Sequence, residues 1–353
     1  MALEIDPFSS LGRGPCGSRL ELGRRWPRLH EMRKGLTVVT IGLDLGGANV
    51  YAIALEGVRV LGEAKLRTPA TGDRTSVLDV LAAAVHQVRE DGGVEQGDVA
   101  GVGVGTPGVV IDGTVGGAAN VPGFLERFAL ADLLQQRVEL PVRVVNDVTA
   151  ATVAEHRLGA GRDATDLLCV FVGTGVGGGM VLDGRPYYGA TGGAGEFGHM
   201  IVRQGGAVCP CGRRGCVEAY AGRRAMALAA ERAHADGRST ILFDVQREQG
   251  KQRPTSRTFQ EALARGDELV ADLLDEAVDA LGAGIASAAN LLDVERVVLG
   301  GGLADLLGAS FQTRVDAVVR PLLFLQPPRV HVVAAELADR AGALGAALLV
   351  AED

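Results

Sequence analysis

The fold is decided by the stretch GLDLGGANVYAIA, residues 42–54, where an apolar strand runs into a glycine turn and a second apolar strand follows. The stretch VFVGTGVGGGMVLD, residues 170–183, repeats this order of strand, glycine turn and strand. Helical periodicity is found elsewhere, for example over residues 76–90 and 267–292. Because two matching units lie within an alternation of strands and helices, the sequence predicts two similar α/β domains.

The composition is that of a globular protein and argues against several functional classes. The chain has 353 residues, 47% of them hydrophobic, which predicts about two domains with sizeable cores. The net charge of −8 provides no basic footprint over the whole chain for nucleic acid, and no apolar run is long enough to span a membrane. Three of the five cysteines lie within Cys209–Cys216, which argues against paired disulfides and favours a reducing cytoplasm.

Two segments lack a regular pattern. Residues 1–36 have neither helical nor strand periodicity and no apolar core of a secretory signal, so we interpret them as a disordered or non-native extension. Translation that begins at Met32, or an Arg-rich transit peptide, remains an alternative. Residues 238–260 are polar and irregular, which predicts a connector between helices.

Three glycine-rich turns follow predicted strands, at Asp44–Gly47, Gly173–Gly179 and Gly300–Gly302. Glycine lets backbone N–H groups surround phosphate oxygens, although each turn taken alone is also consistent with a simple tight turn. The P-loop sequence is absent, and residues 173–179 look like a hairpin rather than the helix start of a dinucleotide site. Two turns at matching places in the two halves favour a nucleotide held between two lobes.

The apolar strand VVND ends with Asn146 and Asp147, directly before a predicted helix. A carboxylate at the end of a strand, facing a cleft, is a plausible general base. Asp and Asn are also favoured as helix N-caps, and a helix follows here. The sequence leaves both interpretations of this pair open.

A histidine and three cysteines form the strongest metal-binding pattern in the chain. His199 lies in GAGEFGHM, and Cys209, Cys211 and Cys216 follow in CPCGRRGC. These residues supply the four ligands of a closed tetrahedral Zn²⁺ site, which leaves no open position for catalysis. A disulfide or free thiols remain alternatives, although a Cys-x-x-Cys redox pair is absent. For Glu218, which follows closely, an exposed residue in the first turn of a helix is the simpler interpretation.

With these motifs assembled, the chain from Thr37 onwards resembles the ROK family of repressors, open reading frames and kinases. DLGGANV and GTGVGGG resemble the two phosphate motifs of the family, ANVPGF its Asn-x-Pro-Gly sugar segment and VVND its catalytic pair. GEFGHM and CPCGRRGCVEAYA match its ExGH and CxCGxxGCxE signatures. The resemblance implies a two-lobed α/β sugar kinase fold, of the actin-like ATPase (ribonuclease H-like) type, with a structural zinc knuckle.

The resemblance also implies roles for individual residues. Asp147 would be the general base that takes the proton from the sugar hydroxyl, Asp44 would help to hold Mg²⁺, and His199 would serve both zinc and sugar. The implied sugar-binding residues are Asn120, Asn146, Asp147, Glu196, His199 and Glu218. The implied ATP-binding residues are Asp44, Gly46, Gly47, Thr174, Gly175, Gly301 and Gly302. The implied zinc ligands are His199, Cys209, Cys211 and Cys216.

The activity implied by the resemblance is ATP-dependent phosphorylation of a hexose 6-hydroxyl, with glucose as first choice, in a cytoplasmic homodimer or homotetramer. A small domain of residues 37–145, on which a C-terminal helix of residues 336–353 packs, would precede a large domain of residues 146–335 that carries the zinc loop. N-acetylmannosamine, mannose, fructose and allose remain alternative acceptors, and polyphosphate remains an alternative donor.

One departure from the family pattern lies in the first phosphate motif. The family usually has Thr-Lys after Asp-x-Gly-Gly, whereas this chain has Ala48 and Asn49. Loss of this hydroxyl and ammonium would weaken phosphate binding or change the preferred donor. An active kinase is still expected, because Asp147 and the second phosphate turn are intact, and a catalytically dead sugar-binding protein stays an alternative. A repressor is a further alternative, although the 36 residues before the first strand are too few for a helix-turn-helix module.

Overall fold

The computed structural model describes residues 38–118 and 121–351 of the chain. The extension assigned to residues 1–36 and the candidate sugar ligand Asn120 lie outside the described residues. The described strands are β1 (Val39–Leu45), β2 (Asn49–Glu56), β3 (Arg59–Arg67), β4 (Val99–Thr106), β5 (Val109–Ile111), β6 (Thr114–Gly116), β7 (Phe128–Ala129), β8 (Val142–Asn146), β9 (Leu167–Val172), β10 (Val176–Leu182), β11 (Arg185–Pro186), β12 (Arg296–Gly300) and β13 (His331–Ala334).

Two five-stranded sheets share one topology. The strand order is β3-β2-β1-β4-β8 in the first sheet and β11-β10-β9-β12-β13 in the second. In each sheet the first three strands pair antiparallel, and the central strand and the last two pair parallel. The two glycine turns join β1 to β2 and β9 to β10, so they occupy equivalent places. A small antiparallel sheet, β5-β6-β7, adds to the first half.

Helices pack on the sheets, and the first of them begins with a side-chain cap. Asp73 begins the first helix, because its carboxylate accepts a hydrogen bond from the Ser76 amide at 3.2 Å. None of the helices within the two described ranges combines the length and apolar character needed to cross a lipid bilayer. The described helices are α1 (Arg74–Gly92), α2 (Leu130–Val138), α3 (Asp147–Arg157), α4 (Glu218–Ala221), α5 (Arg223–Ala235), α6 (Leu242–Glu248), α7 (Ser256–Ala264), α8 (Glu268–Leu292), α9 (Ala304–Val319) and α10 (Ala341–Val350).

Helix α10 returns the end of the chain to the first sheet. It packs against β1 and β4 and also against α3, the helix that follows β8. It occupies Ala341–Val350 and is therefore shorter than the segment 336–353 that the sequence suggested. The domain boundaries at residues 145 and 335 stay a prediction.

The buried carboxylate of Glu155 joins α3 to the segment that leads into α10. It accepts hydrogen bonds from the amides of Ala160 at 2.9 Å, Glu336 at 3.1 Å and Leu337 at 2.9 Å. These donors satisfy a side chain that is fully removed from solvent. Both chain segments that connect the two sheets are thereby fixed to each other near the cavity described below.

Residues 238–260 are not the irregular connector expected from their polarity. They contain α6 and the start of α7. Leu242, Val245 and Phe259 are fully buried, and Thr255 forms a reciprocal capping box with Thr258. The few apolar side chains at helical spacing therefore outweigh the polar composition of the segment.

Candidate functional site

A cavity of about 640 Å³ lies where the glycine turns of the two sheets meet. It is lined by most of the residues that the sequence predicted to bind ATP, and these come from three separate parts of the chain. These residues are Asp44, Gly46, Gly47, Thr174, Gly301 and Gly302. Asp147 lines the same cavity, at the start of α3. The three turns that are distant in sequence therefore border a single concave site.

In the structure the first glycine turn occupies residues 46–49, where β1 passes into β2, and Thr68, just after β3, supports it. The Thr68 hydroxyl donates to the Gly46 carbonyl at 2.6 Å, and the Thr68 amide donates to the Ala48 carbonyl at 3.1 Å. Asp44 lies two residues before this turn. Burial and the neighbouring charges of Asp147 and Asp339 raise the pKa of Asp44 to about 7. A bound cation would favour the ionised form of this carboxyl.

The second glycine turn, residues 173–175, is held by the segment around α4 and α5. The Arg223 guanidinium donates to the Thr174 hydroxyl at 2.8 Å, and the Arg223 amide donates to the Gly173 carbonyl at 3.1 Å. The Glu218 carboxylate accepts a hydrogen bond from the Val176 amide at 2.9 Å. This turn is therefore fixed by charged side chains from outside its own sheet.

The two members of the Asn146-Asp147 pair have different surroundings in the structure. Asn146 is the N-cap of α3, because its side-chain oxygen accepts from the amides of Val148 at 3.0 Å and Thr149 at 3.2 Å. Asp147 is left to line the cavity. Burial raises the pKa of Asp147, and the charge of Glu196 raises it further, against backbone hydrogen bonds that lower it. A carboxylate with a raised pKa is a stronger base.

A second, smaller cavity of about 100 Å³ adjoins the first. Asn146, Thr149 and Glu196 supply polar side chains to its wall, and Val148 lines both cavities. Asp147 lines the large cavity, and its sequence neighbours Asn146 and Val148 line the small polar one. This is the arrangement that a group moved between two substrates requires.

His199, Cys209, Cys211 and Cys216 come together as the sequence predicts. Their candidate ligand atoms all lie within 4.8 Å of one another. Cys211 Sγ is 3.8 Å from Cys216 Sγ, and Cys209 Sγ is 3.7 Å from His199 Nδ1. Bonds of about 2.3 Å in a tetrahedron place neighbouring ligand atoms about 3.8 Å apart, so these spacings are compatible with a zinc knuckle.

The two nitrogens of His199 face different groups. Nδ1 points to the cysteine cluster, while Nε2 is 3.8 Å from the Glu196 carboxylate. Gly212 and Gly215 have φ values of 86° and 81°, which glycine adopts without strain, and they let the chain turn around the cluster. The cysteine loop therefore fixes the position of His199 beside Glu196.

The family model for the ROK family matches residues 40–353. The chain belongs to the ROK family. The crystal structure of a ROK family glucokinase from Streptomyces griseus, in complex with glucose and AMPPNP, is 34% identical with a TM-score of 0.74, covering 89% of this chain and 100% of that chain. An N-acetylmannosamine kinase from Escherichia fergusonii is 32% identical over 318 residues, which are 88% of this chain and 98% of the relative.

A ROK family transcriptional regulator, a homologue of the E. coli MLC protein, is 25% identical with a TM-score of 0.75 over 90% of this chain and 78% of that chain. The family therefore includes both enzymes and regulators among the relatives of this chain. Its kinase structures confirm the predicted fold class, an α/β sugar kinase fold built on two sheets.

Several residues of this site were not predicted from the sequence. Lys65, Asp305 and Asp339 line the large cavity, and Arg223 holds Thr174. Partial burial raises the pKa of Asp305 to about 6, and the charges of Asp339 and Glu155 add to this effect. These residues lie in a strand, in helices and in a short 3₁₀ turn without any motif, so only the folded chain identifies them.

Proposed function

We propose that the protein is an ATP-dependent sugar kinase that transfers the γ-phosphate to the 6-hydroxyl of a hexose, with glucose as the preferred acceptor. The observation that supports this most is the position of Asp147, on the wall of the cavity bordered by the glycine turns and next to the small polar cavity. Similarity to a glucokinase structure that contains glucose and AMPPNP supports the same acceptor and donor.

In this proposal Asp147 accepts the proton of the sugar hydroxyl and aligns the oxygen for transfer. Phosphoryl transfer needs mainly positioning and charge stabilisation from the protein, and a general base of raised pKa suits this task. Asn146 positions Asp147, because its side chain is occupied with the amides at the start of α3 and with the Gly108 carbonyl at 3.2 Å. Glu196 and His199 contact hydroxyls at the far side of the sugar ring, together with Glu218 and Asn120.

On the nucleotide side, the backbone of the glycine turns surrounds the phosphates. Gly46, Gly47, Thr174 and Gly175 contact the phosphate chain, while Gly301 and Gly302 border the adenosine. Mg²⁺ bound with the nucleotide would neutralise developing phosphate charge. Asp44 is suited to hold that ion, because its buried carboxyl lies near the negative charges of Asp147 and Asp339, whose repulsion a cation would offset.

The four residues of the cysteine cluster hold a structural Zn²⁺ in this proposal. Three thiolates and one imidazole would supply all four ligands of a structural zinc ion, so the ion would shape the loop and take no part in the transfer. The acceptor side of the site then depends on the loop, because His199 is both a ligand and a neighbour of Glu196.

The charges of the large cavity favour ATP over polyphosphate as the donor. Four carboxylates line it, those of Asp44, Asp147, Asp305 and Asp339, against one lysine among the described lining residues. A long polyanion would meet repulsion along this wall, whereas ATP brings a short phosphate chain together with Mg²⁺. Turnover with polyphosphate at a rate equal to that with ATP would contradict this choice.

Steady-state kinetics over a panel of sugars and both donors test the proposal. We expect glucose with ATP to give the highest kcat/KM, and Asp147→Asn to lower kcat about 10²–10⁴-fold because the base is lost. Asp132→Asn, on the exposed face of α2, is the matched control and should keep wild-type turnover. A folded Asp147→Asn variant with undiminished turnover would refute the mechanism. If N-acetylmannosamine gave the highest kcat/KM, it would replace glucose as the proposed substrate.

A further inference from the structure

The large cavity must receive a polyanion although its wall is acidic. Among the described residues that line it, Lys65 carries the one basic side chain and four aspartates carry carboxyl groups. The raised pKa values of Asp44 and Asp305 reflect burial first and then the repulsion of neighbouring carboxylates. Phosphate binding in such a site requires cationic groups at defined positions.

The first glycine turn provides no cation of its own. Ala48 and Asn49 occupy the two positions that follow Gly47, and both line the cavity with neutral side chains. Strand β3 runs antiparallel to β2 beside this turn, and the register pairs Tyr51 with Lys65. Lys65 therefore reaches the cavity from the neighbouring strand, close to the turn that lacks a charge.

The position of the Lys65 ammonium is set by a weak partner. Nζ lies 3.4 Å from the Asp339 carboxylate and 5.9 Å from the centre of the Tyr51 ring. The two charged side chains are 49% and 83% exposed, so their ion pair is solvated and costs little to separate. Lys65 is thus a cation at the edge of the cavity whose ion pair with Asp339 is easily separated.

We propose that Lys65 is a phosphate-binding residue of the nucleotide site, which exchanges Asp339 for the phosphate chain of ATP. This inference rests on the proposed function, since it names a further residue of that nucleotide site. Asp339 competes with the nucleotide for Lys65 and also adds a negative charge to the wall that the phosphates approach. The two residues therefore have opposite effects on nucleotide affinity.

A purely structural role makes a different prediction. Glu63 on β3 pairs with Arg340, next to the pair of Lys65 with Asp339, so both pairs connect β3 to the 3₁₀ turn Ala338–Arg340. If Lys65 only fixes this turn, loss of either partner breaks the same connection. Variants of Lys65 and Asp339 would then change the KM for ATP in the same direction.

The test compares Lys65→Met, Lys65→Arg and Asp339→Asn in the full chain, with Lys251→Met as a control that removes an exposed lysine outside the cavity wall. We expect Lys65→Met to raise the KM for ATP·Mg²⁺ about 10–100-fold, with the sugar KM within about twofold of wild type. Lys65→Arg should recover most of the affinity, and Asp339→Asn should leave the KM for ATP equal or lower. Lys251→Met should match the wild type.

Titration calorimetry of AMPPNP·Mg²⁺ binding to the wild type and the same variants tests this inference independently of the proposed function. If the wild type binds the nucleotide without phosphorylating any sugar, the proposed function fails while the affinities still test Lys65. An unchanged affinity in Lys65→Met, or an equal loss in Lys65→Met and Asp339→Asn, overturns the role of Lys65. If Lys65→Met does not fold, a weaker affinity in Asp339→Asn overturns it.

Discussion

The two glycine turns have the same place in their sheets and different surroundings. Each joins the central strand of a five-stranded sheet to its antiparallel neighbour. Two residues before the turn, the first sheet has Asp44 and the second has Phe171, and both side chains line the large cavity. Equivalent backbones therefore present a carboxylate on one side of the cavity and an aromatic ring on the other.

The supports of the two turns also differ. Thr68, a neutral residue just after β3, holds the first turn, and residues 47–49 are exposed. The second turn is held by Glu218 and Arg223, which directly follow the cysteine loop in sequence. The Glu218 carboxylate is also 3.9 Å from Cys209 Sγ. The first turn thus follows a buried carboxyl and has a neutral support, whereas the second turn is held by charged side chains, one of which also contacts the cysteine cluster.

If the cysteine cluster holds zinc as proposed, removal of this ion should have the largest effect and should distinguish the two turns. Because Glu218 contacts both Cys209 and the Val176 amide, we expect Cys216→Ser or chelation to raise the KM for ATP as well as for sugar. Loss of a structural metal commonly unfolds its loop, so turnover should fall about 1000-fold or more. Kinetics together with zinc content by mass spectrometry provide the measurement.

The control for this experiment is Cys169→Ala, which alters a buried cysteine of β9 outside the cluster and should retain zinc and activity. An unchanged KM for ATP in zinc-free protein, with only the sugar KM raised, would show that the second turn is independent of the cysteine loop.

The buried carboxyl of Asp44, two residues before the first turn, should make the stability of the protein depend on pH. The folded-state pKa of Asp44 is raised from 3.8 to about 7, so the folded protein binds this proton more tightly than the unfolded chain. The stabilising contribution is complete below about pH 4 and is lost as the pH rises through about 7. Asp44→Asn should therefore raise the free energy of unfolding at pH 8, by at most about 4 kcal/mol, and change it little at pH 4.

Urea unfolding of the apo protein at the two pH values measures this effect. Phe171→Leu is the matched change at the equivalent position of the second sheet, and its effect on stability should not depend on pH. An Asp44→Asn variant with the same gain at pH 4 and pH 8 would show that the carboxyl of Asp44 does not titrate in this range.

The sequence predicted the two α/β halves because glycine turns and apolar strands are local patterns. The His199 and cysteine cluster was predictable for the same reason, since ligand types and spacing are visible in one loop. The sequence could not tell which of Asn146 and Asp147 caps the helix and which lines the large cavity, because this depends on where each side chain points. Lys65 was missed, since only strand pairing brings it beside the first turn.

The polar stretch 238–260 was predicted wrongly for a related reason. Its helices depend on Leu242 and Phe259, whose burial partners come from α8 and other distant elements. Composition averages over such residues, whereas packing depends on a few of them. The supports of the second turn are equally non-local, because Glu218 lies 42 positions after Val176.

A single methyl group on each turn gives the smallest and most direct test of the comparison. A Cβ at Gly175 would lie 2.2 Å from Glu218 Oε2, whereas at Gly46 the closest neighbour is the Asn49 carbonyl oxygen at 3.2 Å. Neither glycine has a positive φ, so alanine is acceptable to both backbones. We expect Gly175→Ala to cost about 1–3 kcal/mol of unfolding free energy and Gly46→Ala clearly less.

A double-mutant cycle identifies the source of that cost. In a Glu218→Ala background the methyl group at residue 175 meets no carboxylate, so Gly175→Ala should become nearly neutral there, while the small effect of Gly46→Ala should stay unchanged. Urea unfolding of the wild type, the three single variants and the two double variants gives the free energy of unfolding for each step of the cycle. An equal cost of Gly175→Ala with and without Glu218 would mean that this carboxylate does not hold the second turn, and the two turns would then differ only in charge.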